Sequence, residues 1–169
     1  VYNGNGGSTL PGTLIRAEGD EPVASPDDAN YAYDFAGDIY DYYDRAHGRD
    51  SIDGNGMTMV LTVNSNYPPC PNAQWTGSLM VFCSGTVTDD ITAHELTHGV
   101  TQHTANLIYK NQSSQMNEAY SDIFGELIDL YNGDVSEIGP PAGSPNWPAH
   151  PTGSGQDTPN NARSACSSA

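Results

Sequence analysis

The chain has 169 residues, 36% hydrophobic and only 15% charged, a length that suits one compact domain. Against 5 Lys+Arg stand 21 Asp+Glu, and the formal charge of −16 repels phosphate, which excludes nucleic acid and anionic membrane as default partners. Apolar runs are a handful of residues long, so no segment reads as a membrane span.

In chain order, residues 1–24 read as loop and short extended pieces around the turn Leu10-Pro11-Gly12. Ser25-Pro26-Asp27-Asp28 predicts a helix start, with Ser25 as cap and Pro26 in the first turn. Ala29, Ala32, Ala36, Ile39, Tyr43 and Ala46 then recur at helical spacing up to Gly48, a natural C-terminal stop. After the turn Asp53-Gly54-Asn55-Gly56, Met57–Val63 is a β-rich run. Gln74-Trp75 and Ser78–Phe82 are further extended candidates. Cys70 and Cys83 flank this region at a separation a hairpin could bridge. One bridge plus a leftover Cys166 favours an oxidising compartment, the alternative being three free thiols.

A second helix is predicted from about Thr88-Asp89-Asp90 to His103, with Ala93, Leu96 and Val100 inward. A third runs from about Ser114 to Tyr131 and ends at Asn132-Gly133. Its apolar stripe is Met116, Ala119, Tyr120, Ile123, Phe124, Leu127 and Tyr131. Residues 140–169 are Pro, Gly, Ser, Ala and Asn with almost no apolar period, a tail without a packed core of its own. No basic-then-apolar leader opens the chain, so a secretory signal, if one existed, is expected to have been removed already.

The chemistry centres on His94-Glu95-Leu96-Thr97-His98. Two histidines four apart on a helix differ by about 40° in rotation and about 6 Å along the axis, so both imidazoles can reach one ion. Zinc accepts imidazole nitrogens, and a catalytic zinc keeps three protein ligands and a water. Glu95 stands on a neighbouring edge, where it can act on that water without coordinating the ion. A third ligand is required. Glu118 lies 20 positions after His98, and Asp122 follows one turn later, both off the apolar stripe. A carboxylate at the metal and another on a ligand imidazole's far N–H is the usual arrangement.

His94–His98 with Gly99-Val100-Thr101, Leu107-Ile108-Tyr109, Asn117-Glu118-Ala119 and Ser121-Asp122-Ile123-Phe124-Gly125 resembles the thermolysin family of zinc metallopeptidases. Leu10-Pro11-Gly12, Tyr40-Asp41-Tyr42-Tyr43, Asp53-Gly54 and Asn72-Ala73 with Trp75 extend the similarity over roughly residues 8–139. The resemblance implies an α+β, zincin-like fold over 1–139, with a small mixed or mostly antiparallel sheet and an edge strand over two active-site helices. It implies zinc on His94, His98 and Glu118, water activation by Glu95, orientation of His94 by Asp122, and oxyanion donation by Tyr109. Asn72, Ala73 and Trp75 would pair with an extended peptide, and Ile91 and Ile138 would line an apolar side-chain pocket. The implied activity is secreted endopeptidase cleavage before apolar residues, against the alternative of a zinc-holding peptide-binding module with little turnover.

The resemblance also implies calcium on Asp90, Asp129 and Glu137. Family members are about twice this long, and nothing after Pro140 resembles their second, helical lobe; His150 does not match its motif. The chain is expected to be a fragment, a minimal member, or one wall of a cleft that a second lobe or another polypeptide completes.

Overall fold

The computed structural model describes residues 1–67 and 69–132. Within them the order is β1 (Tyr2–Asn3), β2 (Thr13–Leu14), α1 (Asp28–His47), β3 (Leu61–Val63), β4 (Ala73–Trp75), β5 (Met80–Phe82), α2 (Asp89–Gln102) and α3 (Gln112–Asn132). The strands form one sheet in the order β2-β1-β3-β5-β4. β1 and β5 both run parallel to β3, while β2 is antiparallel to β1 and β4 to β5. The sheet is therefore mixed, the fold is α+β, and β4 is an edge.

Helix α1 buries Ala29, Ala32, Ala36, Ile39 and Tyr43 as the spacing predicts, together with Tyr42. Two details differ. The helix starts at Asp28 behind Asp27, without a side-chain cap, and Ala46 is exposed. Its end follows the expectation: Gly48 is left-handed (φ 61°), and the Gly48 and Arg49 N–H groups return to Asp44 and Tyr43.

Two strands begin later than the β-rich runs that announce them, because nearby side chains claim the backbone first. Asp53 Oδ1 accepts the Met57 N–H and Ser51 Oγ donates to the Met57 carbonyl, so β3 opens only at Leu61. Thr76 Oγ1 likewise holds both backbone groups of Leu79, and β5 opens at Met80. Cys70 and Cys83 form the disulfide across this hairpin.

The core lies where α1 and α2 cover the sheet: Ile39, Val63, Met80, Phe82 and Leu96 are buried, and the Tyr43 hydroxyl bonds Thr97 Oγ1 at 2.8 Å. The expectation for α3 needs correction. Met116, Ala119, Tyr120, Ile123 and Leu127 of its apolar stripe are exposed, and the buried face is Asn117, Ser121, Gly125 and Ile128. The reason is the close crossing of α2 and α3, the most extensive contact between elements. A Cβ added at Gly125 would stand 3.2 Å from the Asp90 carbonyl oxygen, so the crossing admits only small side chains. Of the stripe, Phe124 and Tyr131 are partly buried and pack against the core. Glu137, Ile138, His150, Cys166 and the expected tail at 140–169 lie outside the described residues.

Candidate metal centre

Thr88 is extended and its carbonyl accepts the Thr92 N–H, which opens α2; Asp89 and Asp90 in the first turn favour the positive end of the helix. From that start, His94 and His98 leave one face on consecutive turns, and their rings meet edge to face at 4.8 Å between centroids. Helix α3 crosses here and delivers Glu118. The Nε2 atoms of His94 and His98 are 3.1 Å apart, and Glu118 oxygens lie 3.4 Å from the first and 3.7 Å from the second. Among the described residues, these three form the group whose ligand atoms could hold a metal ion, all within 4.8 Å of one another.

The donor set fits a divalent ion. Bonds of about 2.0–2.1 Å at tetrahedral angles place ligand atoms about 3.3–3.4 Å apart, close to the separations found. His98 Nδ1 faces Asn117 Oδ1 at 2.7 Å and Ser121 Oγ at 3.1 Å. An N–H on Nδ1 satisfies Asn117 and leaves the Nε2 lone pair turned into the triad. His94 is served differently. Its buried Nδ1 lies 3.0 Å from Asp122 Oδ1, close enough for an ion pair but not aligned as a hydrogen bond.

Glu95 leaves α2 on the side of the edge strand, and its Oε2 accepts the Trp75 backbone N–H at 2.8 Å. Burial pushes this carboxyl above its ordinary range, against the opposing pull of the Trp75 N–H and the two imidazoles. The Tyr109 hydroxyl donates to Glu118 Oε1. Of these groups, His94, Glu95, His98, Tyr109, Asn117 and Glu118 open onto one cleft of about 1030 Å³, walled on one side by Asn72, Ala73, Trp75 and Ile91 and on the other by Tyr109 and Glu118.

The residues expected from the sequence thus come together at His94, Glu95, His98, Tyr109, Glu118 and Asp122, with the expected edge strand beside them. Of the calcium set, Asp90 accepts from the Thr88 hydroxyl at the start of α2 and Asp129 stands on α3, while Glu137 lies outside the described residues. Sequence reasoning missed Asn117 and Ser121 as supports of His98. A row of small or polar residues (Asn117, Ser121, Gly125) four apart beside Glu118 marks a face of close approach, but not the imidazole it supports.

Comparison with known proteins shows the family. Residues 2–102 match the family model described as thermolysin metallopeptidase, catalytic domain. The chain belongs to the thermolysin metallopeptidase family. Bacillolysin of Bacillus caldolyticus is 41% identical over 141 residues, covering 78% of this chain and 26% of that protein. An extracellular metalloprotease of Pectobacterium carotovorum subsp. carotovorum is 39% identical over 131 residues, 73% of this chain and 37% of that one. The precursor of protealysin, a metalloproteinase from Serratia proteamaculans, has a similar solved structure: TM-score 0.71 at 34% identity, over 77% of this chain and 42% of that chain. The chain spans about a quarter of the length of bacillolysin and of a thermolysin from Alicyclobacillus acidocaldarius subsp. acidocaldarius, to which it is also 41% identical.

Proposed function

We propose that this chain is the metal-binding part of an extracellular zinc endopeptidase that cleaves peptide bonds on the N-terminal side of apolar residues. The observation that carries this reading is the convergence of His94, His98 and Glu118 beside the half-buried Glu95 carboxylate anchored to an edge strand. Relatives named zinc metalloproteinase, from Renibacterium salmoninarum, and extracellular metalloprotease, from Pectobacterium carotovorum, support the metal and the compartment. Bound between the three ligands, zinc would supply a Lewis acid for a peptide carbonyl and a more acidic water.

The chain's own residues do the rest. Among the described residues β4 pairs with β5 on one side only, so an extended peptide can add to its other edge. Asn72, Ala73 and Trp75 would hold that backbone, with Ile91 accepting an apolar side chain. Glu95, fixed through one oxygen on Trp75, takes a proton from the attacking water and returns it to the leaving amine. Asp122 orients His94, and Tyr109 at the opposite wall donates to the charge developing on the carbonyl oxygen, a contribution of about 3 kcal/mol for such a donor. Calcium belongs to the same reading, with Asp90 and Asp129 as two of its hard oxygen ligands and Glu137 as the third.

A second body would complete the cleft. Met116, Tyr120, Ile123, Leu127 and Leu130 are all exposed on α3, at spacings of four and three that form one seam. Such a seam accepts another helix, and the relatives are long enough to supply one. The test of the activity is direct. The chain should cut an unstructured protein substrate, and Glu95→Gln should abolish cutting while zinc stays bound. Zinc retained by the unaltered chain with the substrate left intact would reduce the site to peptide binding.

A further inference from the structure

On α2, Glu95, Gly99 and Gln102 lie at i, i+4 and i+7, a nearly straight row about 10 Å long. All three meet the hairpin of β4. Glu95 takes the backbone N–H of Trp75. At Gly99 the indole rests on the helix, and a Cβ there would come within 3.1 Å of the ring. Gln102 then closes the row with both ends of its amide: Oε1 accepts the indole N–H of Trp75 at 2.9 Å, and Nε2 donates to the Gly77 carbonyl at 3.1 Å. Gly77 stands in the turn that Thr76 and Leu79 tie across its base.

The other end of β4 is held covalently. The Cys70–Cys83 bridge precedes the strand, and the Cys83 N–H bonds the Asn72 carbonyl. The turn end of β4 is joined to α2 through Gln102.

We infer that Gln102 is a positioning residue: it holds the peptide-accepting edge at a set distance from the helix that carries Glu95 and the two histidines, so that the edge is in place before a peptide binds. The inference rests on the peptidase reading for its ligand. It gives Gln102 no contact with the reacting atoms.

The test uses the full chain carrying Trp147→Phe, so that emission reports Trp75 alone, loaded with zinc. The probe is a peptide with a bulky apolar residue after the scissile bond. Gln102→Ala should weaken peptide binding, or raise KM, by about three- to tenfold, the worth of one or two net hydrogen bonds. The same change should leave kcat and zinc affinity within about twofold, since no ligand or base is touched. Trp75 emission should shift to the red and become easier to quench. Gln102→Glu keeps the acceptor for the indole but loses the donor to Gly77, and should recover part of both signals. If Gln102→Ala binds peptide as the parent does, or if zinc affinity falls in step with peptide affinity, the inference is overturned alone. A parent chain that takes no peptide overturns the peptidase reading, and this inference with it.

Discussion

Asn117 is not one of the three converging ligand residues, yet it decides how His98 presents itself. With Nδ1 bonded to Asn117 Oδ1, the imidazole is held in one tautomer and one orientation, and Nε2 is left as the donor atom. Asn117→Ala removes that acceptor from a buried position and frees the ring to take the other tautomer. Zinc affinity should fall by about 10–100-fold, the usual effect of removing such a support, measured by competition with a chromogenic chelator. Asn117→Asp keeps the acceptor and should keep most of the affinity. The motif around His94 was legible because its spacing follows from helix geometry alone. The role of Asn117 was not, since it depends on where α3 crosses α2.

At the scale of elements, that crossing makes the centre. Two ligands ride on α2 and the third on α3, so the separation of the helices sets the size of the site. Gly125 is the contact point, seated against the Asp90 carbonyl with the His94 backbone next in line. Gly125→Leu must push the helices apart, at a cost of about 1–3 kcal/mol from overpacking. Glu118 would then retreat from the imidazoles, and zinc binding should weaken by about tenfold or more, as for lost ligand support. A melting curve and a zinc titration on the same variant would show both losses; normal zinc affinity at a lowered Tm would mean that the crossing does not govern the site. The apolar stripe of α3 was misjudged for a physical reason. Helical period identifies a face that needs covering, but does not say which neighbour covers it. Here the inner face is small and polar to allow close approach, and the apolar face looks outward.

For the whole molecule, the disulfide is a large single constraint. It joins residues 13 apart, and closing a loop of that length stabilises a folded chain by about 3 kcal/mol through the unfolded state. Cys70→Ala with Cys83→Ala should therefore lower Tm by about 6–12 °C, read by calorimetry in non-reducing buffer. The same melt under reductant should bring the parent chain close to the double variant. An unchanged Tm would show that the strands and Gln102 hold the hairpin unaided. The charge of −16 acts at this scale too, through long-range repulsion that salt relieves.

The sequence by itself determined whatever depends on neighbours along the chain: the three helices and the stop of the first at Gly48, the pair of histidines on one face with a carboxylate beside them, and two cysteines at hairpin separation. Local geometry repeats every few residues, and these features follow from it. Only the tertiary structure decided what depends on distance through space: the mixed order of the sheet, the Asn117 support, the Gln102 clamp, and which face of α3 lies inside. Those contacts join segments about 20 or more residues apart in the chain, and helical or strand period carries no record of them.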